Sequence, residues 1–242
     1  VLKSAALKLV DIILPKKCIC GRNRTEDAKS LCHECWAKVQ FISGDKCNCC
    51  GDPFAVLLDE NEGQLLCPNC LETPPQYKKQ RCVFKYDEHS SFIISKFKYS
   101  DATYVANYIA PQLQNISREF IDDIDVITSI PLHLKKLVRR KYNQSAILAN
   151  KLGRLSGKKV DNMLLKRIKD TTSQAGLERS KRLKNIKGSF TVPNPRKLEG
   201  KNILLVDDVI TTGATIAEAT KVLLKGGAKK VYVVAAARTL RD

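Results

Sequence analysis

Aromatic residues make up only 6% of this 242-residue chain, which has a single Trp and a single Met. So few rings offer no obvious platform for stacked bases, and Phe92, Phe97 and Tyr108 read as core. No apolar run approaches the ~20 residues of a membrane span, which points to a cytoplasmic protein. Residues 1–15 mix apolar positions with Lys3, Lys8 and Asp11 and carry no small-residue cleavage site. They read as an amphipathic helix rather than a signal peptide. The Gly-Lys-Ser/Thr of a Walker loop is missing, as is the G-x-G-x-x-G dinucleotide fingerprint. No internal repeat appears. Acids are scarce in the middle of the chain: residues 133–187 hold 17 Lys/Arg against three Asp/Glu, a balance of +14. Residues 1–72 balance to −1, so the net +17 is concentrated in one region. A field this one-sided attracts a polyanion such as nucleic acid, or a pyrophosphate.

Cysteine is the residue present in excess. Nine of the ten cysteines fall between positions 18 and 70, and eight of them come in pairs: Cys18 and Cys20, Cys32 and Cys35, Cys47 and Cys50, Cys67 and Cys70. Two C-x₂-C turns can close a tetrahedral metal site, and in a cytosolic chain such pairs read as structural zinc rather than disulfides. Sequential pairing gives two four-cysteine sites and thus one or two Zn²⁺ ions. A cross-braced arrangement, first pair with third, also satisfies the spacing. The second site is the better formed on paper; the single residue between Cys18 and Cys20 predicts a distorted or empty first site. Cys49 and Cys82 are spare, and His33 is a bystander. The pair Pro74-Pro75 separates a ribbon module over 16–72 from a larger domain over 76–242.

That larger domain is organised around residues 203–215. Ile203 to Val206 are β-favouring and end in Asp207 and Asp208; Thr211, Thr212, Gly213, Ala214 and Thr215 then lead into an amphipathic helix. Free amides and hydroxyls at a helix N-terminus suit a phosphate, and paired carboxylates suit ribose hydroxyls. The stretch resembles the 5-phosphoribosyl-1-pyrophosphate (PRPP) loop of type I phosphoribosyltransferases, without a gap. Arg81 to Tyr86 alternates like a strand, two helices follow between Phe92 and Ile109, and Asp125 to Ile130 reads as a buried strand stopped by Pro131. Apolar strands joined through helices imply an α/β fold: an open parallel sheet with helices on both faces. Ligands gather at the carboxyl ends of such strands, which makes Ile130, Pro131, Leu132 and His133 a candidate pyrophosphate loop. The basic run Lys135, Lys136, Arg139, Arg140 and Lys141 is a candidate DNA contact. Arg179 and Arg182 sit in a polar stretch of lid type and are candidate phosphate clamps.

Taken in order, the motifs extend the resemblance to residues 10–240. The cysteine pairs precede Lys96-Phe97-Lys98-Tyr99, then Ile130-Pro131-Leu132-His133 and Arg140-Lys-Tyr-Asn-Gln144. Arg167, Thr171, Gln174 and Leu177 follow, then Arg182, Asn185, Gly188 and Phe190, and lastly the PRPP loop, Ala228 and Val231. The chain thereby resembles the ComF family of competence proteins. That resemblance implies a type I phosphoribosyltransferase-like domain joined to a double zinc ribbon, PRPP bound with Mg²⁺, and a role in natural transformation. It further implies handling of incoming single-stranded DNA in the cytoplasm, at the inner face of the membrane and beside other competence or DNA-processing proteins. In that reading Asp207 and Asp208 are the catalytic pair, and PRPP is held by them with Val209 and Thr211 to Thr215. The alternatives are an active phosphoribosyltransferase with an unidentified acceptor, and a zinc-ribbon scaffold for partner proteins. Lys141 stands where the family has glycine, placing a charged side chain where a glycine turn is expected.

Overall fold

The computed structural model describes residues 18, 20, 23, 25, 31–54, 65–99, 102–170 and 185–240. The helix expected over 1–15, together with Arg179 and Arg182, lies outside these residues. A five-stranded sheet forms the centre, built from β1 (Lys79–Lys85), β2 (Val126–Ser129), β3 (Lys159–Val160), β6 (Asn202–Ile210) and β7 (Lys230–Arg238). Every pairing is parallel, in the spatial order β1-β7-β6-β2-β3. A separate antiparallel ribbon pairs β4 (Lys166–Arg167) with β5 (Phe190–Thr191).

Both faces of the sheet are covered, and alternation along the strands decides which residue goes where. Leu204, Val206, Tyr232 and Val234 pack with α3 (Glu88–Tyr99), α4 (Val105–Ser117) and α6 (Gln144–Ser156). Their neighbours Ile203, Leu205, Val231 and Val233 pack with Ile216, Ala219 and Leu223 of α7 (Ala214–Lys225) and with Phe190 of β5. On α4 the buried Val105, Ile109 and Leu113 recur every fourth residue, the stripe of a helix that buries one side. Among the described residues no helix is long and apolar enough to cross a membrane.

The chain leaves β2 toward β3 on one side and leaves β6 toward β7 on the other. A crevice therefore opens between the carboxyl ends of two adjacent strands, β2 and β6. It is deepened by unequal lengths. The β2–β6 pairing ends at Ser129–Val206, while β6 continues along β7 as far as Ile210. The sequence alone suggests that β6 stops at its two acids; instead Asp207 and Asp208 lie inside the strand, on the side that β2 has vacated.

The cysteine-rich residues lie against the sheet's β1 edge. Ile42 N–H donates to Val83 O (2.9 Å), Lys85 N–H to Gln40 O (2.9 Å), and Gln80 N–H to Cys49 O (2.7 Å). Phe41 bridges Phe84 in antiparallel fashion, and their rings meet Trp36 and Tyr108 in one aromatic cluster.

Candidate functional site

The crevice holds a cavity of about 390 Å³ whose lining includes Asp207, Asp208, Lys98, Lys136, Arg140 and Arg167. At one end, residues 209–216 curl into a smaller cup of about 50 Å³. Gly213 caps α7 with φ of 77°, a left-handed conformation that glycine adopts without strain. Ala214 N–H lies 3.4 Å from Thr212 Oγ1. The cup therefore presents amides, threonine hydroxyls and the positive end of a twelve-residue helix to the cavity.

The two acids have different surroundings. Asp207 is buried, and its Oδ1 accepts from Ser145 Oγ (3.1 Å) and from the Asp208 N–H (2.8 Å). Burial pushes its carboxyl up to about 7; the Asp208 charge adds to this, and those two hydrogen bonds offset only part of it. Asp208 is instead paired with the Lys98 ammonium, 3.2 Å from its Oδ2. Burial pulls the Lys98 ammonium down, but the Asp208 carboxylate outweighs burial and holds it above its usual value. Lys136 goes the other way: burial lowers it, and Arg167 and Arg140 beside it lower it further. Part of the cavity lining is thus crowded with positive charge, as suits a multiply charged anion.

The basic run is divided by its helix, α5 (Leu134–Arg140). Lys136 and Arg140, four residues apart, line the cavity, whereas Lys135 and Arg139 are exposed outside it. Lys141 is exposed at the helix end with φ of 65°, the one non-glycine in the left-handed region among the described residues. The turn that glycine would make is made here by lysine. In the 130–133 loop, Ile130 and Leu132 line the cavity and Pro131 is half-buried. His133 caps α5 by accepting from Lys135 N–H at 3.4 Å, and its ring lies 3.6 Å from an Asp170 oxygen.

Three consecutive residues tie the site together. Tyr142 Oη donates to Phe97 O (2.7 Å), Asn143 Nδ2 to Ile130 O (2.9 Å), and Gln144 Nε2 to Lys98 O (3.4 Å). The Tyr-Asn-Gln run therefore fixes the end of α3 and the loop after β2 around the same cavity. Five lining residues, Tyr86, Lys98, Gln144, Ser145 and Arg167, were not picked out as site residues from sequence. Three of them belong to the ordered motifs quoted above, so the signal existed without a role attached. Tyr86 and Ser145 carried none.

Away from the cavity, two cysteine quartets converge: Cys18, Cys20, Cys32 and Cys35, and Cys47, Cys50, Cys67 and Cys70. The Sγ atoms of each lie within 4.8 Å of one another, so pairing is sequential, not cross-braced. A zinc tetrahedron with bonds of about 2.3 Å has edges of about 3.8 Å. Cys20 and Cys32 sulfurs stand 3.8 Å apart, and those of Cys50 and Cys67 stand 3.6 Å apart. Both quartets fit the ion, the first one included despite its short spacing. In each, the later pair opens a short helix, α1 (His33–Lys38) or α2 (Pro68–Glu72), whose turn puts residues i and i+3 on one side. Burial raises the Cys47 thiol, but N–H donors from Cys67, Cys50 and Cys49 outweigh it and hold it near the thiolate range, at about 7. Of the spare thiols, Cys82 is sealed in β1, where burial pushes it up to about 12. Cys49 is half-buried, and His33 is exposed and outside both quartets.

The second quartet is held by the sheet. Arg238 Nη1 donates to Cys50 O (2.5 Å), its Nη2 pairs with Asp52 (3.2 Å), and Gln80 Nε2 donates to Cys50 O (3.1 Å). Arg81, braced by Glu119, reaches Cys47 O and Asn48 O at 3.4 Å.

Known proteins agree with this architecture. Residues 9–71 match the double zinc ribbon domain family, and residues 143–241 match the phosphoribosyl transferase domain family. "Competence protein F" of Haemophilus influenzae is 30% identical over 229 residues, covering 92% of this chain and 96% of that protein. "DNA utilization protein YhgH" of Salmonella typhimurium is 31% identical over 80% of this chain and 84% of its own length. "Competence protein ComFC" of Bacillus subtilis is 27% identical, covering 82% and 80% respectively. With two Cys₄ zinc sites on the edge of a phosphoribosyltransferase-like sheet, and such similarity along nearly its whole length, the chain belongs to the competence protein F family.

Proposed function

We propose that the crevice between β2 and β6 binds PRPP with a divalent cation, and that the protein handles single-stranded DNA in the cytoplasm during natural transformation. The observation that carries the first part is the chemistry gathered in one crevice: a cup of amides and hydroxyls, two carboxylates, and a wall that includes Lys136, Arg140 and Arg167. PRPP carries a phosphate, a diol and a diphosphate in that order. The 5-phosphate is received by the amides and hydroxyls of Thr211 to Thr215. Asp207 and Asp208 accept from the ribose hydroxyls, and the cationic wall takes the diphosphate. Carboxylate oxygens are the hard donors that Mg²⁺ prefers, and Asp208, at the cavity surface, is the residue placed to hold it. When bound, the ion supplies neutralisation of diphosphate charge.

Titration calorimetry with PRPP and Mg²⁺ tests this reading. Binding is expected in the wild type and a loss of at least tenfold in Asp208→Asn; no heat in the wild type would overturn it. The DNA part rests on the exposed Lys135, Arg139 and Lys141 beside the cavity mouth and on the names of the relatives. Anisotropy of a labelled single strand should fall steeply with salt, and Lys135→Glu with Arg139→Glu should flatten that slope. A slope near zero sinks the DNA role.

A second reading, active phosphoribosyl transfer, is favoured by Tyr86, Ile130 and Leu132, which give the cavity apolar lining of the kind an acceptor base packs against. Catalysis would then be positioning and electrostatic stabilisation of a cationic ribose as pyrophosphate leaves. Pyrophosphate release from bound PRPP, measured with DNA or free bases present, decides between the two readings.

A further inference from the structure

Asp207 and Asp208 are adjacent, yet what neutralises each differs in kind. The partners of Asp207 are a serine hydroxyl and a backbone amide, both fixed in place. The partner of Asp208 is the end of a four-carbon chain. Lys98 reaches it from the last turn of α3, a part of the chain 110 positions away, and both side chains are largely buried. The backbone there is clamped, since the carbonyls of Phe97 and Lys98 accept from Tyr142 and Gln144. The lysine side chain runs on from this clamped backbone to its ion pair. Around it stand Arg140, whose charge repels it, and the cavity space in which an anion would sit.

An ammonium and a divalent cation compete for one carboxylate in a confined cavity, because like charges at contact repel strongly. We propose that Lys98 is a built-in counter-ion that keeps Asp208 occupied in the free protein and releases it only when an anionic ligand arrives. On entry of a diphosphate, the Lys98 ammonium swings onto the phosphate oxygens, and Asp208 is freed for the metal and the ribose hydroxyl. Metal and anion then bind as a linked pair: neither alone removes Lys98 favourably, whereas together they give every charge a partner. Lys98 is thus a positioning residue that makes the site answer to the metal–anion complex and ignore free divalent cation. This rests on the PRPP reading for the identity of the anion, though not for the action of Lys98 on the metal.

The test measures Mn²⁺ as a spectroscopic substitute for Mg²⁺, by electron paramagnetic resonance on the zinc-loaded full-length protein. Mn²⁺ alone should bind the wild type weakly and Lys98→Met at least tenfold more tightly. Asp208→Asn, alone or combined with Lys98→Met, should abolish that gain. Added PRPP should tighten Mn²⁺ binding at least tenfold in the wild type and about threefold or less in Lys98→Met. Lys98→Arg, whose planar fork holds a carboxylate more firmly, should bind Mn²⁺ no better than the wild type. Thermal melts and zinc content show whether each variant is folded. Equal Mn²⁺ affinity in wild type and Lys98→Met would overturn the proposal. If PRPP leaves Mn²⁺ binding unchanged in the wild type while the Lys98→Met gain persists, the PRPP reading fails and the counter-ion role stands.

Discussion

The two cysteine quartets have the same ligands and different surroundings. Cys47, Cys50, Cys67 and Cys70 are all buried, and Arg238, Arg81 and Gln80 of the sheet donate to the carbonyls of that knuckle. Cys20 and Cys35 of the first quartet are only half-buried. They face a cavity of about 300 Å³ shared with Glu34, Lys38, Glu88, His89 and Phe92. Its attachment is apolar: Cys18 and Cys32 join the main core beside Val39, and Trp36 rests on Phe41 and Tyr108. A metal site can therefore be sealed by directed hydrogen bonds from a sheet or merely seated on a greasy surface. The first arrangement ties the metal to the neighbouring domain by directed bonds, the second by apolar packing.

Five variants press on this difference. The largest effect is expected from Cys70→Ser, which should cost about 4 kcal/mol or more in a urea titration, since a structural zinc is folding free energy. Cys35→Ser should cost about half as much; equal losses would erase the distinction. Arg238→Met leaves Asp52 buried without its cation and Cys50 O without that donor. It should cost about 3 kcal/mol and speed chelator-driven zinc release from the second quartet alone. Asp207→Asn is the control outside both quartets. The folded-state carboxyl is raised to about 7 against 3.8 for an ordinary aspartate, so the folded protein holds the proton more tightly. That stability is full below about pH 4 and is lost as pH rises toward 7. The variant should be more stable than the wild type at pH 8, with the gap closing by pH 4 and zinc release unchanged. Trp36→Ala should have the smallest effect, about 1.5 kcal/mol, since half of the ring is already in water. Its effect on zinc release should be confined to the first quartet.

Much of the architecture could be read from residue order. Ile203 to Val206 and Val231 to Ala235 are unbroken apolar runs because both faces of their strands are covered, and α7 follows from Ile216, Ala219 and Leu223. The acids and the cup were legible because they are contiguous. What was not legible comes from contacts between distant segments. Lys98 meets Asp208 across 110 positions and Ser145 meets Asp207 across 62, and no local pattern reports such a meeting. The division of the basic run needed the helical phase of α5, which places Lys136 and Arg140 on one side and Arg139 on another. The two-residue strands β4 and β5 are too short to leave a periodic trace. At Lys141 the residue type argued against the turn that the resemblance led one to expect, and the backbone angle shows that the turn is made.

Strand β1 stands at the end of the sheet, and among the described residues its outer side is paired only by backbone from residues 40–42 and by Cys49 O. Those partners keep their shape only while the knuckles around them do. Stripping the metals would uncover a seven-residue strand, Lys79–Lys85, whose middle five residues are buried in the native protein. A bare edge of that length is a template for another chain. Zinc-depleted protein should therefore be lost to precipitation through edge-to-edge association before any defect in ligand binding can be measured, and purification in the presence of chelators should fail by aggregation.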